Sequence, residues 1–321
     1  MEISVVIPTR NRLSILRQAL TRLGRQSGHV QFEVLVVDDG SDDGTPEAVR
    51  ELAAEASREI KLIEQPGLGP AAARNRALAV ARAPVCLFLN DDSWPRGDLL
   101  ERHRDFHART PECEAALLGR IVPASDPEPT PFIRWLADLQ FDYTGIDDAE
   151  QVRGALFFTA NVSAKTEFVR AAGGFDERFT SAAYEDIDLG VRLERRGLRL
   201  AFDADAVVEH CHPMDLEMAL DRLRAVGRAL APFAERHPDW EVPRPPGARH
   251  RVKAAALTGL LSLRVRTAGL QRETWRFLCH EATREGYWSA VQGQPCPARL
   301  QIGDRLARRA ALDEAVRLPS A

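Results

Sequence analysis

Val85-Cys86-Leu87-Phe88-Leu89-Asn90-Asp91-Asp92 is an apolar run that stops abruptly on a polar and acidic cluster. Five apolar residues in succession, closed by acids, read as a strand covered on both faces whose carboxyl end reaches a polar edge. Carboxylates rarely bury without a cation, so an acid pair at that point belongs to a metal-and-phosphate site more readily than to a core.

Upstream, the same pattern occurs three more times. Ile3 to Ile7 is a β-branched run closed by Pro8 and Thr9, and Leu13, Leu16, Leu20 and Leu23 then predict a helix over 13–24. Phe32 to Val37 is a second strand; it breaks at Asp38-Asp39-Gly40-Ser41 and resumes as a helix with Thr45 as N-cap and Pro46 at N1. Ile60 to Ile63 is a third, followed by Gly67-Leu68-Gly69-Pro70 and a helix over about 70–82. Apolar strands alternating with helices predict an α/β fold: a mostly parallel sheet flanked by helices, with right-handed crossovers and ligand at the carboxyl ends of the strands.

Downstream, a helix is expected over about 98–109 and a strand over about 114–121. Residues 123–131, rich in proline, and 138–153 read as a mobile surface excursion, a lid or acceptor loop. Residues 155–158 begin a further strand, Gly173-Gly174-Phe175-Asp176 turns, a helix starts near Glu185, and a β segment over 199–209 ends in Glu209-His210-Cys211-His212-Pro213. Beyond Pro213 the pattern is helical, with breaks at 238–247 and near Pro295.

With 321 residues, 45% hydrophobic and 28% charged, a substantial core is expected, and 43 Lys plus Arg against 47 Asp plus Glu gives no case for nucleic-acid binding. The five cysteines, Cys86, Cys113, Cys211, Cys279 and Cys296, are scattered without metal spacing and point to a reduced, cytoplasmic compartment. The start MEISVVIPTR lacks the features of a signal peptide, and no apolar stretch approaches the ~20 residues of a membrane span. Arg249, Arg251, Lys253, Arg264, Arg266, Arg272 and Arg276 surround the apolar stretch Ala254 to Leu263. Residues 249–276 therefore read either as a peripheral contact with the inner face of a membrane or as a helical hairpin packed on the catalytic domain or a dimer mate.

Asp38-Asp39 and Asn90-Asp91-Asp92 fall at neighbouring strand ends, where hard oxygen ligands suit Mg²⁺ or Mn²⁺ held jointly with a diphosphate; an Asx-type turn is the alternative for Asp38 to Ser41. Glu185 and Asp186 open a helix, where they either complement its dipole or supply a general base. His210 and His212 share a face if they lie in a strand, and one of them completes a metal shell on that reading. No Gly-Lys-Ser/Thr follows Gly67-x-Gly69, and the GxGxxG pattern is absent, which argues against kinases, ATPases and dinucleotide enzymes.

In order along the chain, Val6-Ile7-Pro8-Thr9-Arg10-Asn11-Arg12, Val36-Val37-Asp38-Asp39-Gly40-Ser41, Gly69 to Leu78 with Ala73-Arg74-Asn75, Phe88-Leu89-Asn90-Asp91-Asp92, Gly173-Gly174-Phe175-Asp176 and Tyr184-Glu185-Asp186-Ile187-Asp188-Leu189 together resemble a family 2 inverting glycosyltransferase of the GT-A, or nucleotide-diphospho-sugar transferase, fold. The resemblance covers about 1–213 and implies a catalytic domain there, with a nucleotide-binding half over about 1–110 and an acceptor-binding half over about 111–213, followed by a helical region over 214–321. It implies a nucleotide-sugar donor (most commonly UDP-linked, with dTDP- and GDP-sugars as alternatives), a hydroxyl acceptor on a sugar or lipid-linked carrier, and Mn²⁺ or Mg²⁺. On the resemblance, Pro8, Thr9, Arg10, Arg12, Asp39, Arg74, Asn90 and Asp91 face the donor. Asp92 and His210 hold metal with His212 as rival, and Asp186 is the catalytic base with Glu185 beside it. Asn90 departs from the family, which usually has an acid there. A homodimer, a nucleotidyltransferase of the same fold and a non-catalytic sugar-nucleotide-binding scaffold are the further expectations to be tested.

Overall fold

The computed structural model describes residues 1–56, 58–245, 248–262 and 267–293. They divide into two compact units, the first made of Met1–Thr130 and Leu136–His212, the second of Pro131–Trp135 and the chain from Pro213 onward.

The first unit is built on strands β1 (Ile3–Thr9), β2 (Phe32–Asp38), β3 (Glu59–Glu64), β4 (Val85–Leu89), β5 (Ser93–Pro95), β6 (Ala115–Pro123), β7 (Asn161–Lys165) and β8 (Arg199–His210). Its helices are α1 (Leu13–Gly24), α2 (Thr45–Glu55), α3 (Pro70–Val80), α4 (Leu99–Arg109), α5 (Pro131–Gln140, whose first turns belong to the second unit), α6 (Thr166–Ala171) and α7 (Glu185–Glu194). The strands form one sheet in the order β3-β2-β1-β4-β7-β6-β8-β5. β1, β2, β3 and β4 pair in parallel, as does β6 with β8, while β7 runs antiparallel to both β4 and β6 and β5 antiparallel to β8.

Helices cover both faces, which is why the strands read as unbroken apolar runs. Val6, Leu35, Val37, Cys86 and Phe88 face one buried cluster with Leu118, Phe157, Phe175 and Leu189. Val5, Ile7, Val34, Val36, Leu87 and Leu89 face the other, with Leu16, Leu20 and Leu99. Each such side chain contributes on the order of 1.5–3 kcal/mol by leaving water. Thr9 aligns with Asp38 and Asp38 with Glu64, so the polar ends of β1, β2 and β3 lie together at one edge.

Several local expectations are corrected. The N-cap of α2 is Gly44, at φ 82, and Thr45 is the first helical residue; the Asp43 carboxylate accepts from both the Thr45 amide and hydroxyl, taking over the cap's work. Residues 155–158 are not a strand: Gly154–Leu156 is a 3₁₀ turn, and the strand begins at Asn161. A four-residue apolar run carries no period that separates the two, and Phe157 is buried there without any ladder. Residues 138–153 are tied down rather than a loose excursion. Residues 138–140 complete α5, the Tyr143 hydroxyl accepts from the Ile121 amide at 3.0 Å, Tyr143 stacks on Phe202, and Val152 bridges Leu200.

In the second unit α8 (Leu216–Arg236), α9 (Ala248–Ser262) and α10 (Ala268–Gln292) follow, with α8 and α10 in close contact. A Cβ on Gly227 would stand 2.0 Å from the Thr283 carbonyl and one on Gly286 2.0 Å from that of Arg224, so the two glycines are what let the backbones touch. Arg224 bonds Glu285 at 2.8 Å, and Phe132, Trp135 and Trp275 form an aromatic cluster. Lys253 of α9 pairs with Glu273 of α10 at 3.2 Å, a contact of the kind a helical hairpin makes. Arg264 and Arg266, like Pro295 and Cys296, lie outside the described residues, as do the side chains of Arg249 and Arg251. No described helix is long and apolar enough to cross a membrane.

Candidate active site

Asp91 and Asp92 follow β4 directly and are both buried, at 4% and 2% exposure, so each needs a partner. Arg12, just before α1, supplies one to both: its guanidinium lies 2.9 Å from Asp91 and 2.9 Å from Asp92. The Thr9 hydroxyl adds a hydrogen bond to Asp91 at 2.9 Å. One guanidinium shared between two acids does not ionise both fully. Burial and the charge of Asp92 push the Asp91 carboxyl up to about 7, against the pull of Arg12 and Thr9. For Asp92, burial also works to raise the carboxyl, but His210, His212 and Arg12 outweigh it and hold it well below the usual carboxylate range.

Both histidines, His210 and its rival His212, reach Asp92. His210 closes β8 opposite Ser93, and its Nε2 lies 3.3 Å from Asp92 Oδ1. His212 Nδ1 lies 2.7 Å from Asp92 Oδ2. The extended chain carries both rings on one side, stacked 5.3 Å apart and nearly parallel at 4°, while the Cys211 amide between them donates to the Asp92 carbonyl at 2.8 Å. Ligand atoms of Asp92, His210 and His212 all fall within 4.8 Å of one another. Asp92 Oδ1 is buried with only the His210 ring nitrogen near it, and no well-formed hydrogen bond reaches it among the described residues. One carboxylate with an unused lone pair and two imidazoles fit a divalent cation.

Asn90, Arg74 and Glu185 form a second, separate set. Arg74 on α3 is 2% exposed; its guanidinium donates to Asn90 at 2.9 Å and to Glu185 at 2.9 Å and lies over the Phe175 ring. Burial and the neighbouring Asp186 push the Glu185 carboxyl up to about 7, with Arg74 opposing. Thus Arg74 and Glu185, expected at the donor and beside the base, are enclosed and turned on each other. Asp188 is also enclosed, held by Arg192 at 2.7 Å.

Asp186 differs from these acids in being only half-buried. It sits in the first turn of α7, where the helix dipole favours a carboxylate. Its Oδ2 receives the Thr159 amide and hydroxyl at 3.3 and 3.4 Å, and its Oδ1 the Ile187 amide at 2.8 Å. Thr159 is held there because the Gly154 turn packs directly on α7: a Cβ on Gly190 would stand 2.0 Å from the Gly154 carbonyl. Thr159 carries no motif and was not legible; the only sequence trace of the contact is the glycine at each side.

At the edge of β1, β2 and β3, Asp39 is buried and accepts from Gln65 Nε2 at 2.6 Å, Leu68 N at 2.6 Å and Gly69 N at 3.0 Å. Asp38 makes the Asx-type turn, accepting from the Gly40 and Ser41 amides. Pro8 is half-buried, and Arg10 is exposed with its guanidinium over Gly67.

Residues 4–141 match the profile described as Glycosyl transferase family 2. The chain is 33% identical over 250 residues to the pre-mycofactocin glycosyltransferase of Mycobacterium tuberculosis (strain ATCC 25618 / H37Rv), covering 75% of this chain and 49% of that protein. It is 32% identical over 231 residues to the validoxylamine A glucosyltransferase of Streptomyces hygroscopicus subsp. jinggangensis, covering 64% and 54%. The chain thus spans about half the length of the curated relatives it matches. Among solved structures, S. aureus TarS 1-349 in complex with UDP-GlcNAc superposes with a TM-score of 0.56 at 18% identity, covering 92% of this chain and 93% of that one. Mannosyltransferase PcManGT from Pyrobaculum calidifontis, in complex with GDP-Man and Mn²⁺, gives 0.59 at 20% identity, covering 98% and 87%. These likenesses establish the GT-A fold.

Proposed function

The chain belongs to glycosyl transferase family 2, and we propose that it moves a sugar from a nucleoside-diphosphate donor to an acceptor hydroxyl, inverting the anomeric centre, with Asp186 as general base. The observation that carries this reading is the division of labour among the acids: Asp91, Asp92 and Glu185 are buried and neutralised by named partners, while Asp186 alone among them is half-buried with two long hydrogen bonds on Oδ2. A base must be reachable and must have a lone pair to use.

Residues 1–110 make the donor half on this reading and 111–213 the acceptor half, with the described helices after Pro213 a separate unit. Thr9 and Arg12 hold Asp91, and Asn90 offers its amide toward the donor's ribose. Asp92, His210 and His212 would hold the divalent ion, and two imidazoles favour Mn²⁺ over Mg²⁺ because Mg²⁺ prefers oxygen alone. Bound there on the donor diphosphate, the ion would neutralise charge developing on the leaving group. Asp186 takes the acceptor proton as the hydroxyl attacks the sugar carbon.

Asp186→Asn preserves shape and hydrogen bonding but removes the base, so transfer is expected to fall by roughly 10²-fold or more while donor binding stays. Turnover of a nucleotide-sugar panel with Mn²⁺, followed by NMR of the product's anomeric proton, tests both points. Normal turnover by Asp186→Asn would remove it from the role, retention at the anomeric centre would remove inversion, and release of pyrophosphate would indicate a nucleotidyltransferase.

A further inference from the structure

Asp186, Gly190 and Glu194 are spaced i, i+4 and i+8 on α7, so they form one stripe of that helix. The turn 154–159 is laid along the stripe and meets all three residues. Its Gly154 amide donates to Glu194 Oε1 at 3.0 Å. Gly154 and Gly190 meet backbone to backbone: a Cβ on Gly154 would stand 2.3 Å from the Gly190 carbonyl, and one on Gly190 2.5 Å from Phe157 Cβ. At the far end Thr159, buried at 2% exposure, gives both its amide and its hydroxyl to Asp186 Oδ2. A buried hydroxyl needs a partner, and here that partner is the carboxylate assigned as base. The same segment also reaches the metal side. Phe158 is half-buried and stands edge-on to Phe141 at 5.5 Å, and Phe141 stands edge-on to His210 at 5.3 Å. One short turn is thus packed against the base on α7 and, through Phe141, against a candidate metal ligand on β8.

We propose that Thr159 is a positioning residue: clamped to α7 by the Gly154–Gly190 contact, it holds the Asp186 carboxylate in the attitude from which it takes the acceptor proton. The proposal rests on the reading of Asp186 as base and supplies the support that base requires. A half-buried aspartate in the first turn of a helix can turn about its side-chain bonds, and the Ile187 amide engages only Oδ1. Thr159 locates the second oxygen, which fixes the plane of the carboxylate. At 3.3 and 3.4 Å its two bonds are long, so Oδ2 is held in place without giving up the lone pair that a proton needs. A misplacement of about 1 Å between reacting groups can cost on the order of 10²-fold in rate. A side chain that never meets the substrate can therefore govern turnover. The two glycines are part of the device, because a side chain at either would push the turn off the helix and carry Thr159 away from Asp186.

The test follows release of nucleoside diphosphate by the whole protein with Mn²⁺. The donors are UDP-glucose, UDP-N-acetylglucosamine, GDP-mannose and dTDP-glucose, and the acceptors are water and p-nitrophenyl glucosides. In each turnover the sugar C1 to phosphate oxygen bond breaks with its electron pair going to the diphosphate, the acceptor oxygen bonds C1, and the acceptor proton passes to Asp186. Thr159→Val keeps the shape of the side chain and loses the hydroxyl. On the best donor its kcat is expected to fall by roughly 10-fold or more, with donor KM and urea midpoint little changed. Thr159→Ser restores the hydroxyl and is expected to stay within about 3-fold of the unaltered protein. In an Asp186→Asn background Thr159→Val is expected to cost less than about 2-fold more, because a residue that acts through the base has nothing left to act on. Full turnover by Thr159→Val, a serine variant as slow as the valine one, or a loss undiminished in the Asp186→Asn background would overturn the proposal. Normal turnover by Asp186→Asn would bring down the base reading instead, whereas a slow Asp186→Asn beside a full-rate Thr159→Val leaves that reading standing and removes this one. Release from none of the donors would overturn the glycosyl-transfer reading and this inference with it.

Discussion

Arg74 is a residue for which the structure gives a sharper role than its sequence position. Its ion pair with Glu185 joins α3 to the first turn of α7 and is almost wholly enclosed, with side-chain exposures of 3% and 4%. Removing one partner of a buried pair strands the other charge. Arg74→Met is therefore expected to lower stability by about 3–5 kcal/mol, whereas Arg74→Met with Glu185→Leu removes both charges and is expected to cost much less. Urea denaturation of the two variants decides it, and equal losses would mean the pair is not the source. At this scale the acids and histidines were legible, because a carboxylate that closes a buried apolar strand rarely serves the core. What the chain does not announce is which acid is enclosed. Glu185 and Asp186 are adjacent in sequence and alike in chemistry, but the helix turns one toward Arg74 and the other toward Thr159.

The contact of α4 with β7 shows what whole elements contribute. His103 on α4 meets the Ser163 hydroxyl with Nδ1 at 2.7 Å and donates from Nε2 to Asn161 Oδ1 at 3.1 Å, and His107 meets the same serine at 2.8 Å. Burial pushes His103 down to about 4, against the Asn161 hydrogen bond, and burial with the Lys165 charge pushes His107 down to about 3. Both are neutral when folded, while the unfolded chain takes up protons near pH 6.5. The stability this network contributes is thus complete above pH 6.5 and is lost as pH falls toward 4 and 3, by about 3 kcal/mol for His103 on the ordinary scale of 1.4 kcal/mol per pH unit. His103→Gln is expected to flatten the dependence of urea midpoint on pH between 6.5 and 4.5; an unchanged slope would place the acid sensitivity elsewhere. Strands β1, β2 and β4 and their helices could be read from the sequence, since burial on both faces leaves an unambiguous apolar run, whereas β3, at the sheet edge, is exposed or half-buried throughout. Short elements could not. β5, β7 and α6 have three, five and six residues, too few for a period to develop, and β7 carries Asn161 and Ser163 inward because histidines on α4 await them.

For the molecule as a whole, the sheet joins a parallel half, β3-β2-β1-β4, to a mixed half, β7-β6-β8-β5. Asp92 follows β4 of the first and His210 ends β8 of the second, so the candidate metal centre spans the two halves of one sheet. A cation bound at that seam to the folded state alone raises stability by about 2.7 kcal/mol at 100 times its dissociation constant. Mn²⁺ is expected to raise the thermal midpoint of the unaltered protein and to leave that of Asp92→Ala nearly unchanged. An equal rise in both would move the ion elsewhere. The parallel half followed from the alternation of strands and helices, but the pairing of β7 against β4 did not, because antiparallel insertion leaves no local trace in a chain read in order.

Arg12 has a further consequence. By bridging Asp91 and Asp92 it gives the protein an internal counter-ion that offsets part of the repulsion between the two acids. The centre can therefore assemble before it meets any metal, and chelation of a purified sample is expected to leave a folded, reloadable protein. An ion drawn to Asp92 Oδ1 would take its place beside a tethered guanidinium on Oδ2. Affinity for a metal at this centre would then be set against a neighbouring positive charge that can never diffuse away.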